Sequence, residues 1–557
     1  MKPAPATGVA AGTDPWGDTL HRLLSRAPRR CTLVMRAAPQ DWAATLQAMQ
    51  QVARLHPGAR KVIACPGACP SGLLPDGVEV LADAPQDDES LLGLLMSKGD
   101  TGDAVIRLAA TDDTSAGRRH DAAVWRWLFA AAWRLRGIAA WVLPAGLRGR
   151  VRERLARRAW SDPFTAPVRP AGRQGLAAPE AVRACAGVAM IGALSSLSGV
   201  GEAARATRRA LEAAGVDCQA FDSDRPATAA IVGDRQGARG RGPRPRPLVS
   251  LLHLNADRLA QARVQWGEAL FDAPHRIGCW AWELEQFPAG QHVGFAHVDE
   301  VWVPSRFCQQ AVAAAARVPV LCMPHALAPP GPPRPDRARF GLAAEATVFL
   351  TMADGMSSLA RKNPLGALQA FAAAFQHWPD PVQLLVKLSH GQRDPALRHA
   401  VLELAARTPG VLVLEELLTR ESVGCLLDSV DAFVSLHRSE GFGLVIAESM
   451  ARGKVALATG WSGNMDFMTR ANSIPLAWRM TTLPSDQGPY RRGQRWAEPD
   501  PDDAVNALRL VASDRGLRDR LGSQAREDMA RQLAPAQVGR RMATRLAEIT
   551  QALGGDR

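Results

Sequence analysis

The feature of this sequence that most constrains its fold is an alternation of short apolar runs with helix-like stretches, which occurs twice along the chain. In the first series, residues 185–327, six apolar runs are long enough for buried strands. They are Val188–Ala193, Val216–Phe221, Leu248–Leu254, Arg276–Trp282, Glu300–Pro304 and Val318–Met323. Helical patterns such as Glu202–Ala214 and Ser305–Ala316 lie between them. Strands that alternate with helices predict a doubly wound parallel sheet.

A proline-rich segment, Ala328–Asp336, separates this series from a second one. Proline this dense cannot continue a helix or a central strand, so the segment predicts a stiff linker between two domains. The candidate strands of the second series, residues 337–545, are Thr347–Thr351, Val382–Leu388, Val411–Leu414, Asp431–Leu436 and Val455–Thr459. The helical patterns between them are Pro364–Phe375, Pro395–Ala406, Glu421–Ser429 and Leu444–Ala451. We expect a second doubly wound domain, a ligand cleft between the carboxyl ends of the two sets of strands, and a helical tail over residues 502–552 that packs across both domains.

Residues 1–180 follow a different pattern and predict an additional α/β region. Its apolar runs are Thr32–Met35, Lys61–Ala64, Val78–Leu81 and Ala104–Leu108. Val124–Val142 then interleaves tryptophan with arginine, and Arg148–Arg158 is basic. Tryptophan beside arginine is typical of a membrane interface. A helix that packs its tryptophans on the core of this region explains the same residues.

Composition and charge narrow the classes of partner and compartment. The net charge of +12 favours phosphorylated substrates or an anionic membrane surface, although a solvated arginine-rich surface explains it equally. No zinc-finger spacing or RNP-type strand accompanies it, so nucleic acid is not expected. The cysteines are scattered, and Cys279, Cys322 and Cys425 lie in apolar runs typical of buried free thiols in a reducing cytosol. We find no signal-peptide pattern and no run of about 18 apolar residues that would span a membrane, and we expect a cytoplasmic protein.

The segment from Ser439 to Gly453 carries the strongest chemical signal. The apolar run Phe433–Leu436 predicts a buried strand, a loop with two glycines follows, and the spacing after Phe442 predicts a helix that Gly453 ends. Backbone amides at such a helix start are unpaired donors and form a ready anion site. Two glutamates eight residues apart, Glu440 and Glu448, are separated by roughly 12 Å along a helix axis. This separation is comparable to the distance from a donor sugar to its nucleotide ribose.

This segment resembles the E-x7-E motif of retaining glycosyltransferases of family 4, which have the GT-B fold of two Rossmann-like domains. Further segments resemble the same family and occur in the expected order. They are SGVGEAAR (Ser198–Arg205), RKNP (Arg361–Pro364), TGWSGNMDFM (Thr459–Met468) and WAEPD (Trp496–Asp500). The resemblance covers about residues 188–546. It implies domains at 185–327 on the acceptor side and at 337–545 on the nucleotide-sugar donor side.

The resemblance also implies roles for individual residues on the donor side. Glu440 would contact the donor sugar and Glu448 the ribose. The donor would further be bound by Gly441, Phe442, Gly443 and Leu444, chiefly through backbone amides. Arg361 and Lys362 would neutralise the leaving diphosphate, with Lys387 as a helper. No metal and no cofactor is expected, because these cations do the work of a divalent ion in GT-B enzymes.

Four residues of the first domain are further candidates. Gly199 and Gly201 would let this domain approach the donor diphosphate closely. His253 and Glu283 should line the cleft near the reacting sugar, and both are candidate catalytic residues, although a histidine at a strand end is equally often structural.

The resemblance implies sugar transfer from a UDP- or GDP-linked donor to a glycan or lipid-linked acceptor, with retention of configuration. Bacterial cell-surface polysaccharide or lipopolysaccharide biosynthesis is the expected setting, at the inner face of the cytoplasmic membrane. A GT-B phosphorylase or sugar-phosphate synthase, and a non-catalytic GT-B scaffold at the membrane, remain alternatives. An alternative interpretation of residues 1–180 is a degenerate sugar-nucleotide domain, in which Asp112 and Asp113 are the acidic candidates.

Overall fold

A computed structural model of the chain describes residues 31–36, 60–64, 78–81, 104–108, 129, 132, 151–152, 154–156, 187–224, 231–232, 247–266 and 271–555. Within these residues the strands form two large sheets and one hairpin. Each large sheet is built around parallel strands joined by helices, which is the doubly wound pattern that the alternation of apolar runs predicts.

The first sheet contains strands from both the extra N-terminal region and the first domain. They are β1 (Cys31–Arg36), β2 (Arg60–Ala64), β3 (Val78–Leu81), β4 (Ala104–Leu108), β5 (Val188–Gly192), β6 (Cys218–Asp222), β7 (Ile231–Val232), β8 (Val249–His253), β9 (His275–Cys279), β10 (Glu300–Val303) and β11 (Val320–Cys322). Their order is β3-β2-β1-β4-β11-β10-β9-β8-β5-β6-β7. The helices described in this part are α1 (Gly199–Ala213), α2 (Ala256–Trp266) and α3 (Arg306–Ala313).

The N-terminal strands pair in parallel with one another and extend the sheet of the first domain. β4 is antiparallel to β11, and this pairing joins β1–β4 to the strands that follow residue 187. All four apolar runs predicted in this region lie in these strands. Because a shared sheet buries the exposed edge of β11, the extra region stabilises the first domain through backbone hydrogen bonds.

The second sheet consists of parallel strands in the order β14-β13-β12-β15-β16-β17. The strands are β12 (Thr347–Asp354), β13 (Val382–Ser389), β14 (Val411–Leu414), β15 (Ala432–Ser435), β16 (Val455–Thr459) and β17 (Ile474–Leu476). The helices are α4 (Leu359–Lys362), α5 (Pro364–Phe375), α6 (Pro395–Arg407), α7 (Arg420–Ser429), α8 (Leu444–Ala451), α9 (Pro501–Ser513), α10 (Arg515–Gln532) and α11 (Pro535–Gly555). Strands β18 (Trp478–Thr482) and β19 (Arg495–Pro499) form an antiparallel hairpin beside this sheet. The predicted fold class, two doubly wound α/β domains, is confirmed.

The C-terminal helices pass from the second domain to the first. Met529 of α10 and Leu533 after it are buried in the core beneath α8. Val538, Met542 and Ile549 of α11 are buried against α1 and the first sheet. The prediction that the tail packs across both domains is therefore confirmed.

The described side chains of the N-terminal region include several that pack on the first domain. Val62 is buried in its hydrophobic core. Phe129 and Ala156 are buried in a cluster with Ala260, Val293 and Ala296. The tryptophans of the segment 124–142, Asp112 and Asp113 lie outside the described residues, so the predictions made on them stay predictions. Over the part of the chain that the structure describes, no helix has the length and hydropathy needed to cross a bilayer.

Candidate functional site

The candidate site lies where β15 ends and α8 begins, and the structure forms the strand, loop and helix that the sequence predicts here. Gly443 takes a left-handed conformation, with φ +89°, and provides no side-chain cap for α8, which starts at Leu444. Among the described residues, the backbone amides of Gly441, Phe442 and Gly443 donate to no acceptor. Because amides at the start of a helix carry partial positive charge, these groups are hydrogen-bond donors available to an anion in the cleft.

The loop before α8 is also part of the interface between the two domains. Ser305 Oγ, at the start of α3, donates to the carbonyl oxygen of Gly441 at 2.6 Å. Cys308 Sγ lies 2.9 Å from Trp282 O and 3.2 Å from the same Gly441 oxygen, so its single proton is shared between two acceptors. The loop before α8 is therefore held directly by the first domain.

Glu440 is a buried carboxylate held between two cations. It is 7% exposed, it accepts a hydrogen bond from Lys362 Nζ, and Arg361 Nη1 lies 3.3 Å from its other oxygen. Burial alone would raise the pKa of Glu440, but Lys362 and Arg361 outweigh it and lower the pKa to about 2. Glu440 is ionised at neutral pH and can accept hydrogen bonds from hydroxyl groups.

The cations come from the RKNP segment, whose local conformation is fixed by Asn363. Asn363 has φ +53°, caps α5 by accepting from Gly366 N, and donates to the carbonyl oxygen of Leu436 at 2.9 Å. Arg361 is buried and donates to Ser439 O at 2.5 Å. It therefore holds the loop in place and also balances the charge of Glu440. Lys362 is partly exposed and is the more accessible of the two cations.

Glu448 lies within α8, whereas Glu440 precedes the helix. Glu448 is paired with Arg420, a residue that sequence reasoning missed. Arg420, the first residue of α7, donates to both oxygens of Glu448, and the Nη1–Oε2 distance is 3.0 Å. Its Nε lies 3.8 Å from Glu202 Oε2 on α1 of the first domain. Burial raises the pKa of Glu448, and Arg420 opposes this effect. A small open pocket lies here, and Arg420, Glu448 and the linker residue Pro330 are among the residues that line it.

The two glycines of the first domain differ in their surroundings. A Cβ on Gly201 would meet Ser196 O at 2.4 Å, so this position requires glycine because of the chain's own backbone. A Cβ on Gly199 would meet nothing within 4 Å. The geometry thus explains Gly201 by local packing, and contact of either glycine with a diphosphate stays a prediction.

Two further candidates, Glu283 and Lys387, differ in whether their hydrogen bonds reach the loop that carries Glu440. Glu283 is brought to the site, because Ser439 Oγ donates to its carbonyl oxygen and Tyr490 Oη donates to its carboxylate at 3.0 Å. Lys387 is buried on β13 and donates to Ser389 Oγ at 2.7 Å; burial lowers its pKa. None of its described hydrogen bonds reaches Glu440.

His253 ends β8 and is buried, and the half-buried His325 lies close enough for His253 to affect its charge state. Burial lowers the pKa of His253 to about 4, and burial together with His253 lowers that of His325 to about 3. The His325 ring packs against the ring of Phe442, in the loop before α8, with centroids 5.0 Å apart. His253 is thus connected to the site through His325, which the sequence did not single out.

Comparison with known proteins gives a partial match. Residues 411–528 match the family model described as Glycosyl transferases group 1, and this range includes β14 to most of α10 with both glutamates. No curated protein matches the chain.

Solved structures resemble the chain only distantly. Anabaena HepE in complex with UDP and glucose is 13% identical, with a TM-score of 0.46 over 65% of this chain and 99% of that one. Sucrose-phosphate synthase from Thermosynechococcus elongatus is 16% identical, with a TM-score of 0.48 over 66% of this chain and 100% of that one. A glycosyltransferase from Rickettsia africae is 12% identical, with a TM-score of 0.47 over 66% of this chain and 98% of that one. With scores below 0.5, these likenesses assign nothing to individual residues, and it is the family match that places Glu440 and Glu448 in a glycosyltransferase group 1 segment.

Proposed function

We propose that this chain is a retaining glycosyltransferase of the family 4 type, which transfers a sugar from a nucleotide-sugar donor to a glycan or lipid-linked acceptor. One observation carries the proposal: Glu440 is an ionised, buried carboxylate between Arg361 and Lys362, next to unpaired helix-start amides, inside the segment that matches the glycosyltransferase family. A carboxylate, cations and free amides at one point suit a ligand that carries both hydroxyls and phosphates.

The donor would lie across the start of α8. Its diphosphate would accept hydrogen bonds from the amides of Gly441–Gly443 and from Lys362, while Glu440 accepts from sugar hydroxyls. The ribose would lie at Glu448, where Arg420 occupies both carboxylate oxygens in the structure. Each carboxylate oxygen can accept more than one hydrogen bond, so Glu448 can accept from the ribose hydroxyls while Arg420 holds its orientation.

Sugar transfer with retention needs charge stabilisation more than it needs a protein base. As the glycosidic bond to the diphosphate breaks, negative charge grows on the leaving phosphate oxygen. Arg361 and Lys362 would stabilise that charge, and the same phosphate oxygen would take the proton of the attacking hydroxyl. These two cations take the place of a divalent metal in the proposal, which predicts activity in the presence of a chelator.

The acceptor and the setting are inferred from charge. The net charge of +12 suits an anionic membrane or a phosphate-bearing lipid-linked acceptor. We place the enzyme at the inner face of the cytoplasmic membrane, in bacterial cell-surface polysaccharide or lipopolysaccharide assembly.

The test begins with a screen of UDP- and GDP-linked sugars for hydrolysis and for thermal stabilisation of the protein. Substituting Glu440→Gln keeps the shape of the side chain and removes its charge. A hydrogen bond to a charged group contributes about 1.5–3 kcal/mol, so kcat/KM should fall roughly 10- to 150-fold.

A matched control is Glu403→Gln, an exposed glutamate on α6, which should leave the rate unchanged. Full activity of Glu440→Gln would contradict the proposed donor site. Calorimetric titration that detects neither UDP nor GDP binding would favour a non-catalytic scaffold, and turnover only with sugar 1-phosphates would favour a phosphorylase.

A further inference from the structure

A segment of the second domain reaches over the first domain beside the site. Residues 483–494 connect β18 to β19, and Leu483, Tyr490 and Trp496 are buried in the hydrophobic core of the first domain. Arg495 pairs with Glu285 at 3.0 Å, and Gln494 Nε2 donates to Gln286 O at 3.3 Å. We call residues 483–496 the crossing segment. It packs on residues 282–286, which follow β9.

Tyr490 is the only tyrosine in the sequence, and it lies at the centre of this contact. It is 3% exposed, and its ring packs between Trp282 and Trp496, with centroids 5.5 and 6.4 Å away. Its hydroxyl donates to Glu283 Oε2 at 3.0 Å. Because a buried phenol hydroxyl needs a partner, this hydrogen bond fixes the orientation of the Glu283 carboxylate.

Glu283 keeps one oxygen available. Its side chain is only half-buried, and within the described part of the chain Oε1 has no hydrogen-bond partner. Ser439 links Glu283 to the loop that carries Glu440. Its carbonyl oxygen accepts from Arg361 at 2.5 Å, and its hydroxyl donates to the carbonyl oxygen of Glu283.

We propose that Glu283 and Tyr490 form the acceptor subsite, in which Tyr490 is a positioning residue and Glu283 Oε1 accepts a hydrogen bond from a sugar hydroxyl of the acceptor. This inference rests on the proposed function. It identifies the ligand as a sugar at the acceptor end, because a fixed anionic oxygen with no cation bound to it recognises a hydroxyl donor. The crossing segment makes the subsite dependent on both domains.

The hydroxyl of Tyr490 is separable from its packing role. Tyr490→Phe keeps the ring between Trp282 and Trp496 and removes only the hydrogen bond, so the thermal midpoint should change little. Glu283→Gln removes the charge of the acceptor group itself. Glu285→Gln, two residues away in an ion pair with Arg495, is the matched control, because a partly exposed pair of this kind contributes little.

The experiment separates donor from acceptor steps. UDP and GDP binding is measured by calorimetry, donor hydrolysis is measured without acceptor, and stimulation of nucleotide release is measured with a panel of methyl glycosides. We expect Tyr490→Phe and Glu283→Gln to bind UDP or GDP with the affinity of the wild type, because neither side chain belongs to the proposed nucleotide site. The KM for the glycoside should rise at least 10-fold in both variants and stay unchanged in Glu285→Gln.

Each outcome decides between the two proposals. An unchanged glycoside KM in Tyr490→Phe and Glu283→Gln overturns the acceptor subsite and leaves the donor site standing. Loss of nucleotide binding in both variants also overturns it, because the pair would then act on the donor side or on folding. Wild-type protein that turns over donor but responds to no glycoside overturns the assignment of a sugar hydroxyl. Wild-type protein that binds neither nucleotide fails earlier, at the proposed function.

Discussion

Lys362 is the residue at which the proposed chemistry can be tested with least disturbance of the fold. Its side chain is 23% exposed, and its described hydrogen bond is to Glu440. Arg361, in contrast, also donates to Ser439 O and to Ser357 Oγ, so replacing it would disturb the loop as well as the charge. We therefore consider Lys362→Met, which keeps the length of the side chain and removes the ammonium group.

The expected loss of activity follows from the role that we propose for Lys362, the neutralisation of the leaving diphosphate. A hydrogen bond to a charged partner contributes about 1.5–3 kcal/mol, and each 1.36 kcal/mol corresponds to a tenfold change in rate. Lys362→Met should therefore lower kcat/KM roughly 10- to 150-fold. Because the charge on the phosphate grows as the bond breaks, much of the loss should appear in kcat.

The same substitution has a pH-dependent effect on stability whose sign follows from Glu440. The folded-state pKa of Glu440 is about 2, below its ordinary value of 4.5, so its ion pairs stabilise the fold above pH 4.5 and this contribution is lost as the pH falls towards 2. Removing Lys362 raises the folded-state pKa of Glu440. The variant should be less stable than the wild type at pH 7, and the difference in thermal midpoint should shrink between pH 4.5 and 2.

The assay compares donor turnover and thermal unfolding for Lys362→Met, Lys362→Arg and Lys454→Met. Lys362→Arg keeps the charge and should recover part of the activity. Lys454 is a half-buried lysine that donates to Asp428 O at 2.9 Å. It lies just before the amino end of β16, whereas the site lies at the carboxyl ends of the strands. Its substitution should leave kcat/KM unchanged. Activity of Lys362→Met within twofold of the wild type would refute the neutralising role.

Two further predictions concern the docking of α11 and the packing of the loop. Arg545→Met removes one partner of a buried ion pair, since the side chains of Arg545 and Glu300 are 3% and 0% exposed. The free energy of unfolding, measured by thermal or denaturant unfolding, should fall by about 3–5 kcal/mol. An unchanged midpoint would contradict the structural role of the pair. Gly463→Ala places a Cβ 2.2 Å from Gly441 O, so nucleotide affinity measured by calorimetry should fall more than 10-fold, whereas Gly331→Ala, with open space around its Cβ, should bind normally.

The sequence predicts the fold and the strand–loop–helix element of the candidate site well because both depend on local patterns. Val411–Leu414 and Val455–Thr459 are strands with the predicted bounds, and Leu444–Ala451 is the predicted helix. Alternating apolar runs and a glycine-rich helix start are signals within a few residues, so one sequence suffices to find them. Lys362 contacts Glu440 although 78 residues separate them in the chain, and only the family resemblance anticipated their meeting.

The partners that the sequence missed lie far apart in the chain and have no motif. The strand predicted at Arg276–Trp282 ends at Cys279, and the residues that leave the sheet carry Glu283 to Tyr490, 207 residues later. The hairpin β18–β19 was not predicted, because its segment is rich in arginine and threonine and lacks an apolar alternation. Arg420 likewise reads as an ordinary first-turn residue of a helix. A single tyrosine in 557 residues was the one available signal for Tyr490.

The contacts at Gly441 indicate that donor binding and the arrangement of the domains are coupled. The carbonyl oxygen of Gly441 accepts from Ser305 and Cys308 of the first domain, while the amide of the same residue belongs to the proposed phosphate site. Since both groups belong to one residue, a movement of the first domain that breaks the Ser305 hydrogen bond also frees the loop that carries the amides. Arg420 connects the domains a second time, between Glu202 and Glu448. Because Arg420 pairs with Glu448 and also lies 3.8 Å from Glu202 of the first domain, a ribose bound at Glu448 would act on a side chain that both domains share.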